Sequence, residues 1–239
     1  LGHAGVAHQQ VPAVVRADTD QLGRRRADAV LPVDAAALDG AADIQRALER
    51  VHAQHRLVER AAAGAVGSTV AQLAKAKGCR VIGVAGGPDK VAWLRELGLD
   101  EVIDRREGDL LRQVRRAAPD GVDVYFENVG GDHLEAAIQN ANTFGRIAMC
   151  GAIAQYNNTK PAPGPRNLGL SIGKCLTLRG FVVGQYTHLA KEFQEKIAPL
   201  IVDESIKYAS TVREGIENMP NAFLELFEGG NTGKMIVKF

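Results

Sequence analysis

Apolar positions along this chain switch repeatedly between helical and strand periodicity from residue 57 to residue 183. Within residues 61–78, Val66, Val70, Leu73 and Ala74 recur at helical spacing, which assigns Gln72, Lys75 and Lys77 to the outer face. Val81, Ile82 and Val84 then form a short apolar run closed by glycines, the pattern of a parallel strand covered on both faces. A helix is predicted over 89–97, with Val91, Trp93, Leu94 and Leu97 inward and Gly98 ending it. There follow a strand over 99–104, a surface helix over 107–118 stopped by Pro119, Asp120 and Gly121, and a strand over 122–131. A helix over 133–140, a strand over 145–153, a long Asn/Pro/Gly loop, a short helix, a strand over 176–183 and an amphipathic helix over 187–203 complete the series. Such alternation predicts an α/β fold, one doubly wound parallel sheet. No period of 20–50 residues repeats.

Residues 1–56 break this pattern. They are rich in Ala, Arg, Asp and Gln, contain no Phe, Tyr or Trp, and hold few bulky apolar residues with which to build a core. Ile44, Leu48, Val51 and Val58 predict an amphipathic helix from about residue 34, and the segment as a whole is expected to be partly helical or disordered. His3, His8, His52 and His55 lie here without metal-ligand spacing and read as solvated histidines. The strand that should precede residue 61 carries Glu59 and Arg60, which conflicts with a central parallel position unless both are paired.

The candidate chemistry centres on the turn that opens the helix after Ala61. Ala62, Gly64 and Gly67 have the spacing of a dinucleotide-binding turn, with Ala in place of the first glycine. Gly64 allows close backbone approach to a pyrophosphate, and Gly67 lets the helix lie close to the sheet. Taken alone, the turn serves equally well as an ordinary Ala/Gly-rich helix start. The strand that follows decides between them. Its end, Ala85-Gly86-Gly87, has no acid to accept from a ribose 2′-hydroxyl, while Lys90, Arg105 and Arg106 stand nearby as partners for a 2′-phosphate. Asp89, beside Lys90, is the opposing charge. The pattern predicts NADP(H) over NAD(H). Asn128 ends the next strand, where open α/β sheets bind ligands.

Composition narrows the partners. The 239 residues carry a formal charge of +1 with 24% charged residues, which points to no nucleic acid and no membrane surface. No apolar run has the length of a membrane span, and no signal peptide is evident. Cys79, Cys150 and Cys175 are widely separated beside apolar strands, so three buried free thiols in a reducing cytoplasm are expected.

Over residues 61–239 the motifs AAAGAVGSTVAQLAKAKGCRVIGVAGGPDK, PDGVDVYFENVGG, FGRIAMCGAIAQYN, GPRN, GFVV, ENMPNAF and GGNTGK occur in order. In these the chain resembles the medium-chain dehydrogenase/reductase superfamily, within it the zinc-independent prostaglandin reductase / 2-alkenal reductase branch. The resemblance implies an NADPH enzyme that reduces the C=C bond of α,β-unsaturated ketones and aldehydes, with no metal. It implies a Rossmann NADP-binding domain over residues 57–239, ending in a C-terminal helix and strand. Gly64, Ala65, Val66 and Gly67 would hold the pyrophosphate and Lys90 the 2′-phosphate. Asn128 and Cys150, Gly151, Ala152, Ile153 and Tyr156 would line the adenosine and nicotinamide halves. Phe181, Val182, Val183 and Asn231 would flank the nicotinamide. Arg105 stands where relatives commonly have Tyr. Cys150 reads as a small residue touching the coenzyme through its backbone, not as a nucleophile, since no base is placed near it. Tyr156 is the candidate for a catalytic, nicotinamide-side role, with a surface tyrosine as its alternative. Asn231 also suits a Gly-Gly-Asn turn on backbone grounds. The branch carries a mostly β catalytic domain ahead of the nucleotide domain; residues 1–56 match neither it nor its bridging helix. The final strand over 234–239, which in the family returns to the catalytic domain, is therefore expected without its usual partners, its apolar edge exposed. Family members tend to form homodimers. An NADPH:quinone reductase and a non-catalytic NADPH-binding fragment remain as alternative functions.

Overall fold

The computed structural model describes residues 55–239. The amphipathic helix expected from residue 34, and all histidines before His55, lie outside them, except that Val58 falls within a strand. The strand β1 (Arg56–Arg60) leads into α1 (Ala65–Ala76), β2 (Arg80–Ala85), α2 (Pro88–Glu96) and β3 (Glu101–Asp104). A crossover through α3 (Leu110–Ala117) brings the chain back to β4 (Val122–Glu127), followed by α4 (Asp132–Asn140), β5 (Ala141–Met149), the one-turn α5 (Leu170–Gly173) and β6 (Thr177–Gly180). These six strands form one sheet in the order β3-β2-β1-β4-β5-β6, parallel throughout.

Both faces of the sheet are covered, and successive residues of each central strand feed different cores. Leu57, Val81 and Val124 pack with Ala71, Ala74 and Leu94 of α1 and α2. Val58, Ile82 and Tyr125 pack with Val114, Leu134 and Ile138 of α3 and α4. Burial on both faces explains why these strands read as unbroken apolar runs. The close seat of α1 depends on Gly67: a Cβ there would collide with the Glu59 carboxyl and stand 2.5 Å from the Ala61 carbonyl oxygen.

Several elements depart from the sequence expectation. Gln72 is buried, not outward, because its amide donates to the Lys207 carbonyl at 2.8 Å and accepts from the Lys207 amide at 2.7 Å. Val66 is 52% exposed, since the first turn of α1 faces the end of the sheet. The fifth strand begins at Ala141, upstream of the expected residue 145. Only Cys79 is buried; Cys150 is half-buried and Cys175 exposed, the last in a turn before the edge strand β6 with φ +50°.

Beyond β6 a 3₁₀ segment (Val183–Leu189) precedes α6 (Ala190–Val202). An unforeseen strand, β7 (Ser210–Glu214), follows, then α7 (Met219–Glu228) and β8 (Lys234–Lys238). The last strand is not alone: β8 pairs in parallel with β7 from Ser210–Lys234 to Glu214–Lys238, in a sheet of these two strands.

Candidate functional site

The strand order reverses between β1 and β4, from which the chain leaves toward opposite sides of the sheet. At their carboxyl ends opens a cleft of about 720 Å³. The turn before α1 forms its floor, the β2 and β3 ends one side, the β4–α4 glycines and the β5 end the other, and residues after α7 a wall.

The floor is suited to an anion. Gly64 is the N-cap of α1, no side chain caps the helix, and no acid stands in its first turn. The helix itself therefore supplies no side chain to neutralise its positive end at the cleft. The turn is held by the Gly64 amide on the Ala61 carbonyl (2.8 Å), and from outside by the Gly233 amide on the Ala63 carbonyl (2.7 Å), a pairing that continues as a bridge between Gly64 and Gly233.

Three cations meet at one side. Lys90 rises from the first turn of α2 and donates to the Gly229 carbonyl at 2.7 Å. Arg105 and Arg106 lie over Gly86, where a Cβ would be 3.0 Å from Arg105 Nε and 3.2 Å from Arg106 Nε. Burial, then Arg105 and Arg106, lower the Lys90 pKa. One acid stands among them: the Asp104 carboxylate accepts from the Arg106 amide (2.9 Å) and the Gly87 amide (3.1 Å), ties the two loops together and offsets part of the charge of Arg106 and Arg105. Those backbone bonds, the Arg106 one foremost, hold its pKa below the usual carboxylate range. Asp89 is exposed and outside the cleft lining.

Of the residues singled out from sequence, Gly64, Lys90, Arg105, Ile153 and Asn231 line this cleft. Ala65, Val66 and Gly67 continue the turn into α1 behind Gly64. Asn128 is directed away from the lining: its amide donates to Glu59 Oε1 and to the Arg60 carbonyl, each at 3.2 Å. The amides of Cys150 and Gly151 both donate to the Glu127 carbonyl, at 2.8 and 3.1 Å, which fixes the turn at the end of β5. Burial, then the charge of Glu59, pushes the Cys150 thiol up, so it stays protonated and a poor nucleophile. Tyr156 is 63% exposed and lies outside the lining, its hydroxyl accepting from the Ala152 amide at 3.3 Å. Phe181 packs edge-on against Phe126 and Tyr186, at ring separations of 6.0 and 6.4 Å, while Val182 and Val183 are exposed. Asn231 donates to the Gly233 carbonyl at 2.7 Å and so also serves its turn.

The structure adds residues that the sequence reading did not assign to the site: Arg60, His133, Leu226, Phe227 and Gly229. Arg60 is 1% exposed and donates through Nη2 to His133 Nε2 at 2.8 Å. On the opposite face of β1, Glu59 is fully buried and bonded to Asn128. These partners satisfy the two charges only in part, since Glu59 Oε2 and Arg60 Nε and Nη1 are buried without a hydrogen-bond partner. Their signal in the sequence was the charge pair itself, an anomaly for a central strand.

A doubly wound parallel sheet with an uncapped, glycine-bearing helix start at its switch point defines a Rossmann-type nucleotide-binding domain. The chain belongs to the zinc-binding dehydrogenase family, whose profile matches residues 65–203, and within it to the zinc-independent medium-chain dehydrogenase/reductase branch. It is 46% identical over 181 residues to prostaglandin reductase 1 of Bos taurus, covering 74% of this chain and 55% of that protein. It is 43% identical over 179 residues to an NADP(+)-dependent 2-alkenal reductase of Nicotiana tabacum, covering 74% and 52%. The solved structure of CurA from Vibrio vulnificus in complex with NADPH matches with a TM-score of 0.77 and 38% identity, over 83% of this chain and 60% of that one. The chain spans about half the length of the curated relatives it matches. Among the described residues no group of three His, Cys, Asp or Glu could hold a metal ion, and no helix is long and apolar enough to cross a membrane.

Proposed function

We propose that this chain is the coenzyme-binding part of an NADPH-dependent reductase acting on the C=C bond of α,β-unsaturated ketones and aldehydes. The observation that carries the coenzyme assignment is the meeting of Lys90, Arg105 and Arg106 at the end of β2, which carries no acid of its own, beside an uncapped helix start. The cleft residues fit the group. Gly64 leaves room for a pyrophosphate against the first turn of α1, and the three cations match the extra negative charge that separates NADPH from NADH. Asn231 and the residues around Gly229 close the wall from the C-terminal side.

When bound, the coenzyme supplies the hydride for the alkene carbon β to the carbonyl. The residues of this chain bind and orient it: α1 fixes the pyrophosphate, Lys90 with the arginines fixes the adenosine end, and the turn over 150–153 bounds the β5 side. Tyr156 is assigned to shaping that turn through the Ala152 amide, since its hydroxyl is engaged there. The reduction of an enal or enone in particular is supported by likeness to prostaglandin and 2-alkenal reductases.

The test is a calorimetric titration of the full chain with NADPH and with NADH, followed by NADPH consumption with a 2-alkenal and with a quinone. Tighter binding of NADPH and consumption with the alkenal are expected. Equal affinity for both coenzymes overturns the phosphate assignment. Consumption with the quinone alone replaces the substrate class, and binding without turnover reduces the chain to a coenzyme-binding fragment.

A further inference from the structure

Glu59 presents a carboxyl group where a phosphate-binding turn would be expected to have none. Its Oε1 lies against Gly67 in the first turn of α1 and accepts from Asn128 Nδ2 at 3.2 Å. Its Oε2 is buried without a hydrogen-bond partner. The carboxyl thus sits on the inner side of the helix end whose outer side, at Gly64, faces the cleft.

The groups around it do little to neutralise a charge there. Arg60, next on β1, points to the other face and is engaged with His133. From β4 come Tyr125, fully buried and donating to the His133 carbonyl, and Glu127, whose Oε1 accepts from the Val129 and Gly130 amides. The first turn of α1 has no acid, and the end of β5 contributes Cys150. Burial foremost, then the charge of Glu127, raises the Glu59 carboxyl well above its ordinary range; Arg60 pulls it back less.

We propose that Glu59 is a hidden determinant of coenzyme affinity: the cleft takes a dinucleotide pyrophosphate over an uncharged Glu59, so binding is linked to one proton carried by this residue. The inference rests on the reading that a dinucleotide docks at the α1 turn. An ionised Glu59 places a second negative charge at the same helix end in a poorly screened medium, and it repels the pyrophosphate. Protonated, Glu59 leaves the helix end to the phosphates alone. The balance is simple. Where free protein carries ionised Glu59, each coenzyme bound takes one proton from solvent; where Glu59 is already neutral, binding takes none.

The experiment is calorimetric titration of the full chain with NADH, in paired buffers of different ionisation enthalpy, from neutral to alkaline pH. NADH is the probe because it lacks the 2′-phosphate and so does not report the charge of Lys90. Proton uptake should rise with pH toward one per NADH, with affinity falling about tenfold per pH unit on that limb. Glu59→Gln should bind with no such uptake and no such fall. NADH binding without proton uptake at any pH, or a Glu59→Gln protein with the wild-type pH dependence, overturns the inference. The wild-type uptake decides the matter by itself if the variant does not fold. Failure of both NADH and NADPH to bind at every pH overturns this inference together with the dinucleotide reading, whereas binding without uptake overturns this inference alone.

Discussion

Replacing Lys90 by Ala removes one of three cations at the end of β2 and one tie between α2 and the C-terminal wall. Lys90 Nζ lies 2.7 Å from the Gly229 carbonyl, partly buried, with Arg105 and Arg106 close enough to lower its pKa. A hydrogen bond to a charged group contributes about 1.5–3 kcal/mol, which is about 10- to 150-fold in affinity. Arg105 and Arg106 remain in Lys90→Ala and are free to take over part of the contact, so the loss should fall toward the lower end, about tenfold for NADPH. The lost tie to Gly229 weakens the wall for either coenzyme, and this part cancels in a ratio. The quantity to measure is therefore the NADPH-to-NADH affinity ratio of wild type and variant, each titrated calorimetrically as the full chain. A ratio about tenfold smaller in the variant is expected. An unchanged ratio, however large the common loss, refutes the assignment of the 2′-phosphate to Lys90.

Three further outcomes follow from the same geometry. Gly67→Ala should lower stability by about 1–3 kcal/mol in urea unfolding, because its Cβ would stand 2.5 Å from the Ala61 carbonyl oxygen and 2.9 Å from its carbon; an unchanged midpoint contradicts the close seat of α1. The NADPH-to-NADH ratio of the wild type should shrink as pH rises, at lower pH than ordinary lysine titration near about 10.4, since the Lys90 pKa is lowered; a ratio constant up to that pH speaks against it. Glu59 and Glu127 both have raised pKa values, with burial the first cause for each. Below the ordinary carboxylate value of about 4.3 both are protonated, folded or unfolded, and cost nothing; as pH rises above it only the unfolded chain ionises, and stability falls by up to about 1.4 kcal/mol per pH unit for each group until the raised folded value is passed. Urea unfolding should thus show lower stability near pH 7 than near pH 5, and Glu59→Gln should flatten the trend.

Where one local pattern decides an element, it was readable in the chain. The run through Val81, Ile82 and Val84 and the glycine spacing at 64 and 67 gave the central strand and the helix seat, because burial on both faces leaves few alternatives. The missing acid after β2 likewise pointed to the cations that the structure gathers. What was hidden depends on distant partners. Glu59 meets Asn128, 69 positions away, and Arg60 meets His133, 73 away. Gln72 turns inward to a backbone group 135 positions on. β7 alternates between exposed and half-buried residues in a two-stranded pair and leaves only a faint apolar signature. The cleft wall at Leu226 and Phe227 comes from the C-terminal helix, in which the sequence marks no site residue.

The link from Gly233 to Ala63 and Gly64 has a bearing on how the molecule matures. All six strands of the main sheet precede residue 181, so that sheet can assemble on the ribosome while the residues after β6 are still emerging. The turn before α1 receives this outer support from Gly233, far downstream of β6. A newly synthesised chain would therefore acquire its main sheet before this turn is braced, and cleavage between β6 and Gly233 would leave a folded sheet with an unsupported turn.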